Sequence, residues 1–374
     1  MIKKRIQKLI NRFDKYKIDG YVIPKNDEFF SEYSINDRLK TISNFTGSAG
    51  YSVILKDKYY LFVDGRYTIQ ADKESGKIFK IISYDKIVNC NLFKNLTLGV
   101  DPKILTSQQI KRYFSKHNKI KIIKENLIDQ VYKKKTVFHK PFFSIDDDIV
   151  GESYKEKLLK IKKYLNKNNS DFIFITAPEN VAWLLNIRGF DNPNSPIPNC
   201  NLLIDKKNNL YLICEKKKAK KITIEKKISK KHVIEFGNFE KLIKDLKGNK
   251  MIIDNKTCSL FFENVLKKKF KILKKEDPIY FLKSIKSNEE IKNMISSHII
   301  DGAALTKFLY WIKIINKKKI TEYEAQKKLE YFRKKNKKYL YPSFNTIAGT
   351  GSNGAIVHYR ATKNNSKYIK KSDI

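Results

Sequence analysis

Ile2, Ile6, Leu9, Ile10 and Phe13 recur at three- and four-residue intervals among lysines and other polar residues, which predicts an amphipathic helix at the amino terminus, ended near Asp19-Gly20. The pattern then changes to short continuous or alternating apolar runs. Tyr21 to Pro24 reads as a strand, and Tyr51 to Leu55 with Tyr59 to Val63 read as a hairpin around Lys56-Asp57-Lys58. Ile78 to Ser83, Leu98 to Val100 and Ile120 to Ile123 come after them as strands, with a helix over Ser107 to Lys116. Strands interleaved with helices predict a mixed α/β unit.

The same pattern returns further along. KYKIDGYVIP from Lys15 has a counterpart in KNNSDFIFITAP from Lys167, and SNFTG from Ser43 one in LNIRG from Leu185. YSVILKDKYYLFV from Tyr51 corresponds to NLLIDKKNNLYLI from Asn201, again strand, polar turn and strand. Two tandem α/β units are expected, 1–140 and 141–278, with breaks at Lys140-Pro141 and Asp277-Pro278. Residues 279–374 read differently: a helix over Ser287 to Ile315 carries Ile291, Met294, Ile295, Ile299, Ala303 and Phe308 and opens with Ser287 and Glu290 spaced as a capping box. A second helix is expected over Glu322 to Lys335. Gly349, Gly351, Asn353 and Gly354 then form a turn-rich approach to Ala355 to Tyr359, whose alternation predicts a strand with His358 beside Ile356 and opposite Ala355, Val357 and Tyr359.

Composition changes this picture little. The formal charge of +39 is large enough to suggest a polyanion partner, but only eight of the 78 basic residues are arginines and the lysines run through almost every segment. No clustered arginines with aromatic platforms occur, so specific nucleic-acid binding is not expected. No apolar run approaches the roughly 18 residues of a membrane span. Cys90, Cys200, Cys214 and Cys258 are widely separated without a CxxC pair and read as thiols of a reducing compartment, and the protein is expected to be cytoplasmic. His117, His139, His232 and His298 show no metal-ligand spacing, and Asp146-Asp147-Asp148 reads as linker. Taken alone, His358 is a polar strand residue as readily as a functional one, and Arg66 a partner for Asp64.

Five ordered phrases shift that balance: RLKTISNFTGSAG from Arg38, FVDGRYTIQA from Phe62, ENVAWLLNIRG from Glu179, PIYFLKSIKSNEEI from Pro278 and SFNTIAGTGSNGAIVHYR from Ser343. Together they resemble the three-domain, eukaryotic-type Xaa-Pro aminopeptidases, creatinase/prolidase-like enzymes of the M24 peptidases. The resemblance implies two creatinase N-terminal-like α/β domains followed by the start of an α+β pita-bread catalytic domain. It implies a metalloexopeptidase that releases the residue preceding proline from proline-containing peptides. By position His358 inherits contact with the peptide near the scissile bond, and Arg66 contact with bound peptide. In the complete enzymes two Mn2+ ions, held by two Asp, one His and two Glu, polarise the carbonyl and supply a bridging hydroxide. All five ligands belong after the His358 phrase, and Asp373 lies too early to be the first. No catalytic residue and no metal are therefore expected in this sequence, which is read as an amino-terminal portion inactive alone. A noncatalytic peptide- or protein-binding relative is the alternative. Complete enzymes of this kind often dimerise through the third domain, so a homodimer is expected only of the whole enzyme.

Overall fold

The computed structural model describes residues 2–31, 33–88, 92–132, 140–316 and 318–370. Cys90, His139 and Asp373 lie outside these residues. Strands β1 (Gly20–Pro24), β2 (Gly50–Leu55), β3 (Tyr59–Val63), β4 (Lys80–Ser83), β5 (Thr97–Val100) and β6 (Lys119–Ile122) form one six-stranded sheet in the order β4-β3-β2-β1-β5-β6. The hairpin closes where Leu55 N donates to Lys58 O at 2.9 Å, and Tyr59 pairs with Ile54. The central β1, β2 and β3 pair antiparallel, whereas β4 joins β3, β5 joins β1 and β6 joins β5 in parallel.

A small antiparallel pair, β7 (Phe143–Ser144) and β9 (Ile187–Arg188), flanks the second unit. Its main sheet takes β8 (Phe172–Ile175), β10 (Asn201–Asp205), β11 (Leu210–Ile213), β12 (Val233–Ile234), β13 (Lys250–Ile253) and β14 (Lys271–Lys274) in the order β12-β11-β10-β8-β13-β14. Strand for strand, this repeats the topology and pairing sense of the first sheet. Apolar residues fill both faces of each sheet. Ile6, Leu9, Phe13, Tyr21, Ile54 and Leu61 pack on one face of the first, and Val53, Phe62, Leu98 and Phe114 on the other. In the second sheet Leu202, Ile204 and Leu212 face the Tyr154–Lys167 helix, while Phe174, Leu203 and Ile253 pack against Phe239 and Phe262. Each such side chain contributes about 1.5–3 kcal/mol on burial.

The two units touch through an isolated bridge between Thr106 and Ser259 and through Leu260 N donating to Leu105 O at 2.8 Å. Gly151 packs the second unit against the start of the long helix Asn288–Tyr310. Its φ of +71° favours glycine, and a Cβ there would meet Glu289 Oε2 at 2.2 Å and Ser287 Oγ at 2.7 Å. Ser287 and Glu290 form the expected capping box at the start of that helix. It packs in turn against Glu322–Lys334, which opens with a second box from Thr321 and Glu324.

The strand expected over Ala355 to Tyr359 does not form. Gly351–Asn353 is a short 3-10 turn, Ile356 N donates to Asn353 O at 3.1 Å, and Tyr359 N to Ile356 O at 3.0 Å. Among the described residues no strand pairs with this segment, so its alternation has no sheet to act against. Tyr359 is buried while Ala355 and Val357, placed with it by the alternation, are exposed. The conformation is decided instead by a carboxylate far off in sequence, that of Glu322, to which the Tyr359 hydroxyl donates.

Candidate functional site

Glu322, the first residue of its helix, is fully buried and collects four donors. Thr350 N reaches its Oε1 at 2.7 Å, and Lys367 N its Oε2 at 2.9 Å. The Asn353 amide donates at 3.0 and 3.1 Å and the Tyr359 hydroxyl at 2.8 Å. Burial acts to raise the carboxyl, but the amides of Lys367 and Thr350 with Asn353 and Tyr359 outweigh it and hold the group below the usual glutamate range. A charge-assisted knot therefore pulls Tyr359 inward and turns its neighbour His358 the other way.

His358 lies against the first unit. Its ring stacks on Tyr67 with centroids 5.1 Å apart and planes 27° apart, and Phe344 lies 6.0 Å away. Tyr67 is itself fixed: it is buried, its hydroxyl shares a 2.7 Å hydrogen bond with Ser48 Oγ, and Phe45 meets its ring edge-on at 5.7 Å. The Arg66 guanidinium sits 5.5 Å from the centre of the same ring. Arg66 Nε also bonds Asp64 Oδ1 at 2.8 Å, and Asp64 caps the turn by accepting from Arg66 N at 3.0 Å. Those two bonds, with smaller help from the Arg66 charge, lower the Asp64 carboxyl.

His358 and Arg66 thus converge on one aromatic ring, and the ion pair expected of Arg66 is present as well. Tyr67 and Phe344 were missed as site residues in sequence, although Tyr67 directly follows Arg66 in the Asp-Gly-Arg-Tyr phrase. Glu322 offered no signal, since a glutamate opening a helix is ordinary. The Nδ1 atom of His358 is buried and makes no hydrogen bond within the protein. An imidazole nitrogen in that state offers a donor or an acceptor, according to tautomer, to a bound polar group. From Ser48, the hydrogen-bond partner of Tyr67, a cleft of about 790 Å³ runs past Asn44 to Asn194, Asn345 and Arg360.

The other sequence candidates stay apart. His232 packs on Tyr211 at 4.7 Å, with burial lowering its pKa, and His298 Nδ1 lies 2.9 Å from Met294 O. Asp146 and Asp147 open a short helix, where Asp147 Oδ1 accepts from Asn186 at 3.1 Å. Among the described residues no group of three or more His, Cys, Asp or Glu is placed to hold a metal ion.

Comparison with known proteins accounts for almost the whole sequence. Residues 5–130 and 133–290 each match a creatinase/prolidase N-terminal domain, and residues 292–374 match metallopeptidase family M24. The chain belongs to the creatinase/prolidase-type M24 metallopeptidases. Among M24 relatives it is 29% identical over 399 residues to a probable Xaa-Pro aminopeptidase P of Laccaria bicolor, covering 99% of this chain and 61% of that protein. It is 30% identical over 409 residues to Xaa-Pro aminopeptidase 1 of Dictyostelium discoideum, covering 99% and 63%. The fold matches that of an X-prolyl aminopeptidase from Caenorhabditis elegans, described as a cytosolic enzyme with a di-nuclear active site, at a TM-score of 0.89 and 22% identity, over 100% of this chain and 66% of that one. The chain therefore spans less than two thirds of these M24 relatives. No helix among the described residues is long and apolar enough to cross a membrane.

Proposed function

We propose that the chain is the peptide-holding portion of an Xaa-Pro aminopeptidase, a cytoplasmic hydrolase that releases the first residue from peptides with proline second. The observation that carries this reading is the meeting of His358 and Arg66 on Tyr67 with His358 Nδ1 left unpaired. The exposed Phe344 ring beside His358 offers an aromatic face of the kind on which a proline ring packs. His358 Nδ1 then bonds a peptide polar group, and Arg66 keeps the peptide oriented with a charge anchored by Asp64. The division at about residues 140 and 278 assigns Arg66 to the first domain and His358 to the third.

Hydrolysis itself belongs to two metal ions, Mn2+ in this reading, which would polarise the scissile carbonyl and activate water in the complete enzyme. The described side chains do not make up that donor set. The test is binding of an X-Pro-Pro peptide to the purified chain by calorimetry, alongside turnover with Mn2+ added. Binding weakened roughly tenfold or more by His358→Ala, about the loss of one or two hydrogen bonds, with no turnover, is expected. Turnover proportional to protein and abolished by His358→Ala overturns the assignment of the chain as inactive alone. Equal affinity for peptides with and without proline favours the noncatalytic alternative.

A further inference from the structure

Two buried thiols of the second sheet face each other. In the β10–β11 ladder Asn201 pairs with Ile213 and Leu202 with Leu212, so Cys200 and Cys214 come next in register. Asp205 N donates to Asn209 O at 3.2 Å, which makes that pair, and every second pair along the ladder, hydrogen-bonded. Cys200 and Cys214 flank the last pair of the ladder, Asn201–Ile213, and continuing its register puts them in the non-hydrogen-bonded phase, where Cα atoms approach to about 4.5 Å and side chains lie closest. That spacing falls within the roughly 4.4–6.8 Å that a disulfide spans. Both side chains lie on one face, packed in the same core with Leu202 and Leu212, and both are wholly buried and free.

Their surroundings already tie the two segments together. Asp191 accepts from Asn199 N, next to Cys200, at 2.7 Å and pairs with Lys218, four residues beyond Cys214, at 2.8 Å. This buried pair floors a cavity of about 170 Å³ facing Asp27 and Arg38 of the first unit. We propose that Cys200 and Cys214 are a dithiol pair that closes into a reversible disulfide under oxidising conditions, locking the hairpin end beneath the contact between the two α/β units.

The chemistry balances with a small disulfide such as oxidised glutathione as oxidant. Cys214, after losing its proton, attacks one glutathione sulfur, the glutathione S–S bond breaks, and one glutathione thiolate leaves. Cys200, likewise deprotonated, attacks the Cys214 sulfur of the mixed disulfide and expels the second. The protein gains one S–S bond and gives up two electrons, and its two protons end on two glutathione thiols. Burial raises the Cys200 thiol, as does the nearby Cys214 sulfur, and burial pushes Cys214 up to about 12. Closure is therefore slow in the folded protein and speeds up when the hairpin opens locally. In a reducing compartment the dithiol is the resident form.

The test incubates the purified chain with oxidised glutathione, with and without urea below the unfolding midpoint, alkylates it under denaturing conditions and maps peptides by mass. The expected result is a Cys200–Cys214 link, two fewer alkylated cysteines, formation at least tenfold faster in urea, and recovery of both sites with dithiothreitol. Full alkylation of Cys200 and Cys214 after equilibration in urea overturns the proposal. So does a link that runs through Cys90 or Cys258, or a stable glutathione adduct on Cys214. A Cys214→Ser variant that still loses two alkylation sites also overturns it, and the mapping of the unaltered chain stands whether or not that variant folds.

Discussion

The two sheets and the segment after them are stabilised by different means. Up to Ile279 the chain buries long runs of aliphatic and aromatic side chains on both sheet faces, whereas beyond it only Ala304, Ala325, Leu329, Tyr359 and Ala361 are buried apolar residues among those described. On the Asn288–Tyr310 helix, Ile291, Met294, Ile295 and Ile299 are exposed, Ile299 by 68%. That helix carries repeated apolar positions in sequence, yet the described residues leave these side chains exposed. Order there comes from polar devices: two capping boxes, the Arg333–Asp301 ion pair at 2.6 Å and the four donors on Glu322. Apolar burial holds the first region and directional hydrogen bonds the second.

The sharpest way to break this comparison is a pair of truncations. Leu212→Ala, in the core of the second sheet, should cost about 2–5 kcal/mol in urea unfolding. Ile299→Ala should change stability by no more than about 0.5 kcal/mol. Equal losses would mean that the exposed helix face is covered in solution.

Next comes Glu322→Ala, which strands several donors and should cost about 3 kcal/mol locally. Limited proteolysis should then cut within 343–370 while the sheets keep their melting behaviour, and peptide affinity should fall with the position of His358. Because the folded carboxyl lies below its unfolded value, this contribution is present above the ordinary glutamate range near pH 4.3 and is lost as pH falls through the lower folded value.

The first region should show the opposite sign. Burial pushes the Asp27 carboxyl up to about 6, against hydrogen bonds from Ser31 N and Phe29 N that act to lower it. Its contribution is full below the unfolded value near pH 4 and is lost as pH rises through about 6, a change of up to about 3 kcal/mol. Asp27→Asn keeps the acceptor for both amides and should flatten denaturation midpoints between pH 4 and 7. The smallest effect belongs to Arg66→Ala. The Arg66–Asp64 pair is half exposed, so stability should move by less than about 0.5 kcal/mol while binding of an X-Pro-Pro peptide weakens.

Much of the fold was legible in the sequence. The observed hairpin strands begin and end within one residue of the apolar runs Tyr51 to Leu55 and Tyr59 to Val63, because a turn of polar residues between apolar strands has few alternatives. The repeat of strand, turn and strand at Asn201 announced the second sheet, and Ser287 with Glu290 the start of a helix. These signals are local: spacing, turn chemistry and caps act within a few residues, and the order of phrases carried the family.

Where the chain folds across long separations, sequence was silent or misleading. Alternation over Ala355 to Tyr359 indicated a strand, but a strand needs a partner, and the hydrogen-bonding of Tyr359 to Glu322 bends the segment instead. Nothing local tells that His358 will stack on Tyr67, or that Cys200 will stand opposite Cys214, since both depend on register and domain contact. The sequence by itself determined most of the elements, the tandem repeat and the order of the family's phrases. Only the tertiary structure decided which residues share a ring, which apolar face stays exposed and which carboxylate holds the last segment in place, because those outcomes are set by packing and desolvation between distant parts of the chain.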